Sequence, residues 1–266
     1  MAGFLQLATN LPIVFGLLIS FAVFLLSIAS FMLGMALPAG IYKPHIGQIL
    51  GRLTSTLIFV FILASFGWLT AAGFTQSAGW QSWLLILLLL VYAMAAAIHA
   101  YFGDFRFNLS KPKLAGVVVL NQMTIGLVEE TAYRGVILYA FVRLWGDSNW
   151  GLVGSVLLSA LFFGASHMVW VAFGKTTMQT TLMSLSAFEA GIYYGAFVLA
   201  SGSIWPAVVF HGLVDAVVNV KLIGEPEYKE SISSGVRMVL LNLPVVIYAV
   251  YLLGKMPPLA IIPNVP

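Results

Sequence analysis

Long apolar runs separated by short polar breaks fill this sequence from one end to the other. Eight of them approach the ~20 residues that a membrane-spanning helix needs. They are residues 11–37, 53–74, 83–103, 114–142, 150–172, 182–200, 204–222 and 235–254. The pattern predicts an all-α fold, a polytopic transmembrane helix bundle of about eight spans. The first and fourth runs are long enough to tilt or to extend past the bilayer. Only Ser201-Gly202-Ser203 interrupts the sixth and seventh, which predicts a tight hairpin or a re-entrant turn.

The breaks are short. Asp104 to Lys113 is polar, and Ser110-Lys111-Pro112-Lys113 reads as a turn into a helix. Ile223 to Ser234 is the most charged connection, with Glu225, Glu227, Lys229 and Glu230, and the tail from Met256 carries four prolines and is expected not to be helical. The start of the chain reads as a retained first span rather than a cleaved signal peptide. Three parts follow: supporting helices over 1–110, a core over 111–222, and a last helix with a Pro-rich tail over 223–266. Odd-numbered connections hold Lys43, Arg52, Arg106, Lys111, Lys113, Lys175, Lys221 and Lys229, with Arg237 at the edge of the last. Even-numbered ones hold only Arg143 and the tail only Lys255, so the odd connections are expected to be cytoplasmic.

Composition supports a lipid environment. Of 266 residues, 61% are hydrophobic and 8% charged, against about 25% charged in soluble domains. The mean hydropathy is +1.01. A soluble protein cannot hide that much apolar surface; in lipid the exterior is itself apolar. The net charge of +3 comes from basic residues scattered over short connections, which gives no reason to expect nucleic acid as a partner. The chain has no cysteine, which excludes disulfides, thiolate metal sites and a cysteine nucleophile.

Against this background, ionisable residues inside the spans mark a functional site. They are Glu129, Glu130 and Arg134 in the fourth run, His167 in the fifth, Glu189 in the sixth, and His211 with Asp215 in the seventh. Glu130 and Arg134 are four apart and share a helix face, so they can pair. Glu129 is rotated by about 100° and is free to face a different environment. His211 and Asp215 also share a face. Phe163 lies one turn before His167. One carboxylate is thus pinned and one free, with imidazoles available to converge on the free one. A carboxylate in a low-dielectric cavity can take a proton from water and return it, and imidazoles can orient the water or support an oxyanion. The combination suits peptide-bond hydrolysis without a serine or cysteine nucleophile.

The same residues fall into recognisable motifs. Glu129-Glu130-Thr131-Ala132-Tyr133-Arg134 fits EExxxR, Phe163-Gly164-Ala165-Ser166-His167 fits FxxxH, and His211-Gly212-Leu213-Val214-Asp215 fits HxxxN/D. Three motifs in order on separate apolar runs resemble the CPBP family: type II CAAX prenyl proteases and bacteriocin-processing enzymes, also called the Abi family. The stretch Gly191 to His211, including Gly202-Ser203-Ile204-Trp205-Pro206, also resembles the family's approach to its third motif. The resemblance covers about residues 110–222. It implies an intramembrane glutamic endopeptidase in which Glu129 activates water with His167, His211 and residue 215 stabilise the oxyanion, and Glu130 and Arg134 hold the site together. The substrate implied is a membrane-associated peptide, prenylated or carrying a leader, in contact with the bilayer. An ionised Asp at position 215 cannot donate a hydrogen bond as Asn can. Asp215 must therefore be protonated, orient His211, or bind something positive.

Other readings stand beside this one. No cofactor is required by the glutamate-and-water reading. Glu129, His167, His211 and Asp215 are also a donor set for a divalent metal such as zinc, with no HExxH pattern to support it. Glu130 with Arg134 could be purely a brace. Glu189 could line the cavity but more simply hydrogen-bonds another helix. Gly191 and Gly195 suggest a close helix contact. His45 and His99 look incidental. A proton-coupled transporter could use the same groups as a relay, and a non-catalytic immunity or scaffolding member of the family would keep the fold without the reaction.

Overall fold

The computed structural model describes residues 2–36, 42–107, 109–224 and 230–257. A short helix α1 (Ala2–Asn10) precedes α2 (Pro12–Ala36), α3 (Lys43–Ser65) and α4 (Trp80–Tyr101). Then come α5 (Pro112–Glu130), a π-helical stretch (Thr131–Leu138) and α6 (Tyr139–Trp145), which follow one another without a break. α7 (Asn149–Ser166) ends in a 3₁₀ turn (His167–Val171), and α8 (Thr177–Ser201), α9 (Trp205–Gly224) and α10 (Ile232–Lys255) complete the bundle. The chain is an all-α integral membrane protein with several spans. Among the described residues, seven helices are long and apolar enough to cross a membrane: α2, α3, α4, α7 with its 3₁₀ turn, α8, α9 and α10. The remaining long path, Pro112 to Trp145, is the one that carries Glu129, Glu130 and Arg134. Leu57, Phe61, Leu88 and Ile247 each expose about two thirds of their surface, an arrangement that lipid favours and water does not.

The second span departs from the sequence pattern. The expected second span, 53–74, lies about ten residues earlier, as α3 over 43–65. The apolar stretch that follows is a non-helical connection. Trp68 and Ala72 within it are buried, so its apolar character comes from packing under protein and not from crossing lipid. Its Gly73 adopts φ +84°, and the Gly73 carbonyl accepts a hydrogen bond from Ile204 N at 3.2 Å. Trp205 Nε1 donates to Phe74 O at 3.0 Å. The turn into α9 is therefore covered, with Ser203 and Ile204 fully buried, and His211 starts from inside the bundle. Lys43 and Arg52, counted among the connections, are in α3. The expected helix start at Pro112 and the break at Gly202, which has φ +65°, are observed. Glu225, Glu227, Lys229 and the tail from Pro258 fall outside the described residues.

α5 and α9 approach closely enough that side chains between them are not tolerated. A Cβ at Gly126 would sit 2.7 Å from Val208 O and 2.8 Å from Gly212 N, and one at Gly212 would sit 2.9 Å from Met123 Cα. The helix carrying Glu129 and Glu130 thus lies against the helix carrying His211. Gly191 makes a comparable contact with Ala160, at 2.7 Å from its Cα, which is the close helix approach its spacing suggested.

Gly126→Ala should destabilise the protein by about 1–3 kcal/mol through overpacking against backbone. Gly154→Ala should not, since nothing lies within 4 Å of that position. Thermal unfolding of both variants in detergent micelles checks this. Equal melting temperatures would contradict the close α5–α9 contact.

Candidate active site

The fourth helical path changes register at the site. Glu130 ends α5, and all eight residues of the following π-helical stretch are buried. A π-helical segment has a wider turn and leaves backbone groups to be satisfied from outside the helix. Here Ser159 Oγ on α7 donates to Tyr133 O at 2.9 Å from outside, while Thr131 Oγ1 donates back along its own helical path to Leu127 O at 2.6 Å. The irregularity is thus held by α7 and by dense packing. Arg134 lies within it.

Glu130 is the junction. Its Oε1 accepts from Arg134 Nη1 at 3.1 Å and from His211 Nδ1 at 2.8 Å. The Glu130 side chain is 0% exposed and that of Arg134 1%. An ionised carboxylate has no proton to give, so His211 Nδ1 carries one. The other nitrogen, Nε2, then faces Asp215 Oδ2 at 3.5 Å and Glu129 Oε2 at 3.8 Å. Tyr194 on α8 stacks on the His211 ring at 5.0 Å between centroids and 16° between planes. Phe163 meets the same ring edge-on at 5.8 Å. Arg134 lies beneath both aromatics, with its guanidinium carbon 4.4 Å from the Phe163 centroid and 5.1 Å from that of Tyr194. Those π faces supply part of what its Nε and Nη2, which have no hydrogen-bond partner, would otherwise lack.

Glu129 and Asp215 differ from Glu130 in access. Their side chains are 24% and 35% exposed. Adjacent glutamates therefore divide as the helix rotation predicts: one locked inside the protein, the other partly exposed beside His211. The expectation that Glu130 pairs with Arg134 holds, but it omitted the second partner. Glu130 also fixes the orientation of His211 on another helix.

His167 does not join this hydrogen-bonded group. Its Nδ1 donates to Phe163 O at 2.9 Å, since a carbonyl can only accept, which leaves Nε2 free. Phe163 stands between the two imidazoles, with ring centroids 5.0 Å from His167 and 5.8 Å from His211. Among the described residues no group of three or more His, Asp or Glu side chains is arranged to hold a metal. Glu189 lies elsewhere: Asn242 Nδ2 on α10 donates to its Oε2 at 3.3 Å and to Ser186 Oγ at 3.0 Å. That is an α8–α10 joint, the interhelical role expected for it.

Residues 111–217 match the family model described as Type II CAAX prenyl endopeptidase Rce1-like. Through this segment, less than half of the chain, the protein is similar to the CPBP family. The match supports, in general terms, a CAAX-type intramembrane protease. The match begins one residue before α5 and includes all three motifs. No curated protein and no solved structure matches the chain.

Sequence reasoning missed Tyr194 and the tie between Glu130 and His211. It also set His45 aside and placed Arg52 in a connection. Both lie on α3 beside Asn121 of α5: Arg52 Nη1 donates to Asn121 Oδ1 at 2.6 Å and to Asn121 O at 3.2 Å, and Asn121 Nδ2 donates to Gln48 Oε1 at 2.8 Å and contacts His45 Nδ1 at 3.2 Å. The signal available was Asn121-Gln122, an amide pair inside an apolar run.

Glu130→Ala leaves Arg134 buried without its counter-charge and should cost about 3–5 kcal/mol of stability. Glu129→Ala, at an accessible carboxylate, should change stability by less than about 1 kcal/mol. Chemical denaturation in mixed micelles separates the two; equal losses would refute the division between a locked and a partly exposed glutamate.

Proposed function

We propose that the chain is a glutamate-dependent intramembrane endopeptidase that cleaves a membrane-associated peptide. Candidate substrates carry a prenylated C-terminal motif or a leader. The observation that carries the reading is the pair of environments at Glu129 and Glu130. Glu129 is partly exposed beside a histidine whose other nitrogen is committed to Glu130.

In this reading a water held by Glu129 attacks the scissile carbonyl carbon. Glu129 takes the water's proton as the C–O bond forms, and the carbonyl oxygen becomes an oxyanion. A protonated His211 Nε2 faces that oxygen. Glu129 then passes its proton to the amide nitrogen, the C–N bond breaks, and a carboxylic acid and an amine leave. Asp215 orients His211 from the open side, 3.5 Å from Nε2, while Glu130 does so from the buried side. This assigns Asp215 to positioning rather than to donating toward the oxyanion, in keeping with its inability to donate when ionised. His167 contributes through its free Nε2, with its Nδ1 bonded to Phe163 O, and assists in placing the water. Arg134 pairs with Glu130 and holds it in place. No metal takes part in these steps.

Purified protein in micelles should cleave a suitable prenylated or leader-bearing peptide. Glu129→Ala should lower kcat by at least about 10²-fold, the scale of a positioned general base, with folding intact. A variant as active as wild type would overturn the assignment. Prolonged dialysis against a strong chelator should leave the rate unchanged. A loss of activity that zinc restores would transfer the chemistry to a metal.

A further inference from the structure

The connection between α4 and α5 exposes apolar side chains where a water-facing loop would carry polar ones. Over 102–111 its described backbone is not helical. Phe105 and Leu109 each expose 58% of their surface, and Phe107 exposes 40%. Interleaved with them and just beyond stand Arg106, Lys111 and Lys113, all exposed and none in an ion pair among the described residues. Irregular backbone does not face the hydrocarbon core of a bilayer. The apolar side chains therefore lie at headgroup level, where aromatic rings and basic groups are both accommodated.

A buried cation fixes this connection to α9. Lys221, whose side chain is 1% exposed, donates from Nζ to Asp104 Oδ1 at 2.9 Å and to Arg106 O at 2.6 Å. Arg106 N donates to the same Asp104 Oδ1 at 2.8 Å. The ammonium also lies 5.0 Å from the Phe102 ring centroid and 5.5 Å from that of Phe107, within cation–π range. Lys221 thus sets the backbone at Arg106 and the ring of Phe107, and the Arg106 side chain stays outside. Asp104 is the only acidic residue between Tyr101 and Glu129. Its charge is matched by Lys221, which leaves the three outer cations uncompensated.

We propose that these six side chains form a docking surface for anionic phospholipid: Phe105, Phe107 and Leu109 seat among the headgroups, and Arg106, Lys111 and Lys113 pair with their phosphates. Charge and hydropathy together select the occupant. A lipid leaflet is negative at its surface and apolar just beneath, and it meets both kinds of side chain at once. Basic residues gather on the side expected to be cytoplasmic, whose leaflet carries the anionic lipid. Each cation near such a surface contributes about five-fold in affinity. The Lys221 tie holds apolar and basic groups at one level relative to α9, so that both engage the same leaflet. The surface lies outside the hydrolytic site and does not depend on the protease reading.

The test uses the full-length protein in phosphatidylcholine nanodiscs. Because the chain has no cysteine, Ser110→Cys places a fluorophore on the surface, and Ser77→Cys places one on the exposed part of the connection between α3 and α4. Quenching is titrated with brominated phosphatidylglycerol and with brominated phosphatidylcholine. At position 110 the anionic lipid should be more effective by about five-fold or more. Raising salt from about 0.1 M to about 1 M should lower that ratio, since the screening length falls from about 10 Å to about 3 Å. At position 77 the ratio should stay near one. Arg106→Gln, Lys111→Gln and Lys113→Gln together should bring position 110 to one as well. Asp104→Ala separates a fixed surface from diffuse attraction: it removes a negative charge, which diffuse attraction would convert into a higher ratio, whereas loss of the Lys221 tie should lower it. A ratio near one at position 110, an equal excess at position 77, or a ratio unchanged or raised in Asp104→Ala overturns the proposal.

Discussion

A carboxylate with no exposure to solvent holds this site together. Glu130 accepts from Arg134 on its own helical path and from His211 on α9. Burying a lone carboxylate is prohibitive, and burying it with one cation is often no better than neutral. The second donor and the aromatic faces over Arg134 make the arrangement tolerable. In return, His211 loses its freedom to rotate. Its Nε2 is aimed at the accessible carboxylates because its Nδ1 is taken.

The rest of the core serves that junction. Glycines 126 and 212 let α5 and α9 touch, which brings the Glu130 and His211 backbones within reach of each other. The π-helical stretch places Arg134 inside the bundle, and α7 satisfies the carbonyl of Tyr133 through Ser159. Phe163 and Tyr194 form the walls. The connection over residues 66–79 covers the turn before α9, so that His211 lies within the bundle. Apolar composition, read first as a sign of lipid, has two origins here: surfaces that meet the bilayer, and a segment buried beneath neighbouring helices.

Much of this was legible in the sequence. Apolar runs of spanning length revealed most helices, because in lipid every backbone group must be satisfied within the segment. Charges within those runs revealed Glu129, Glu130, Arg134, His211 and Asp215, because their cost demands a reason. Helical spacing separated the two glutamates correctly. Contacts between helices were not legible. Spacing cannot tell that Glu130 meets His211, that Tyr194 covers its ring, or that Phe163 separates His167 from it. Nor could it tell that Arg52 lies within α3, since the apolar stretch after Ser65 imitated the end of a span. A polar residue near the edge of an apolar run is ambiguous until its partner across the helix interface is known, and for Arg52 that partner is Asn121.

The tie between Glu130 and His211 is open to direct observation by ¹⁵N–¹H correlation of the four histidine rings in micelles, with His211 assigned by substitution. The predicted result is a His211 proton resident on Nδ1 and protected from exchange, becoming labile in Glu130→Gln. A His211 ring protonated on Nε2 alone, with an unprotonated Nδ1 insensitive to that substitution, would contradict it.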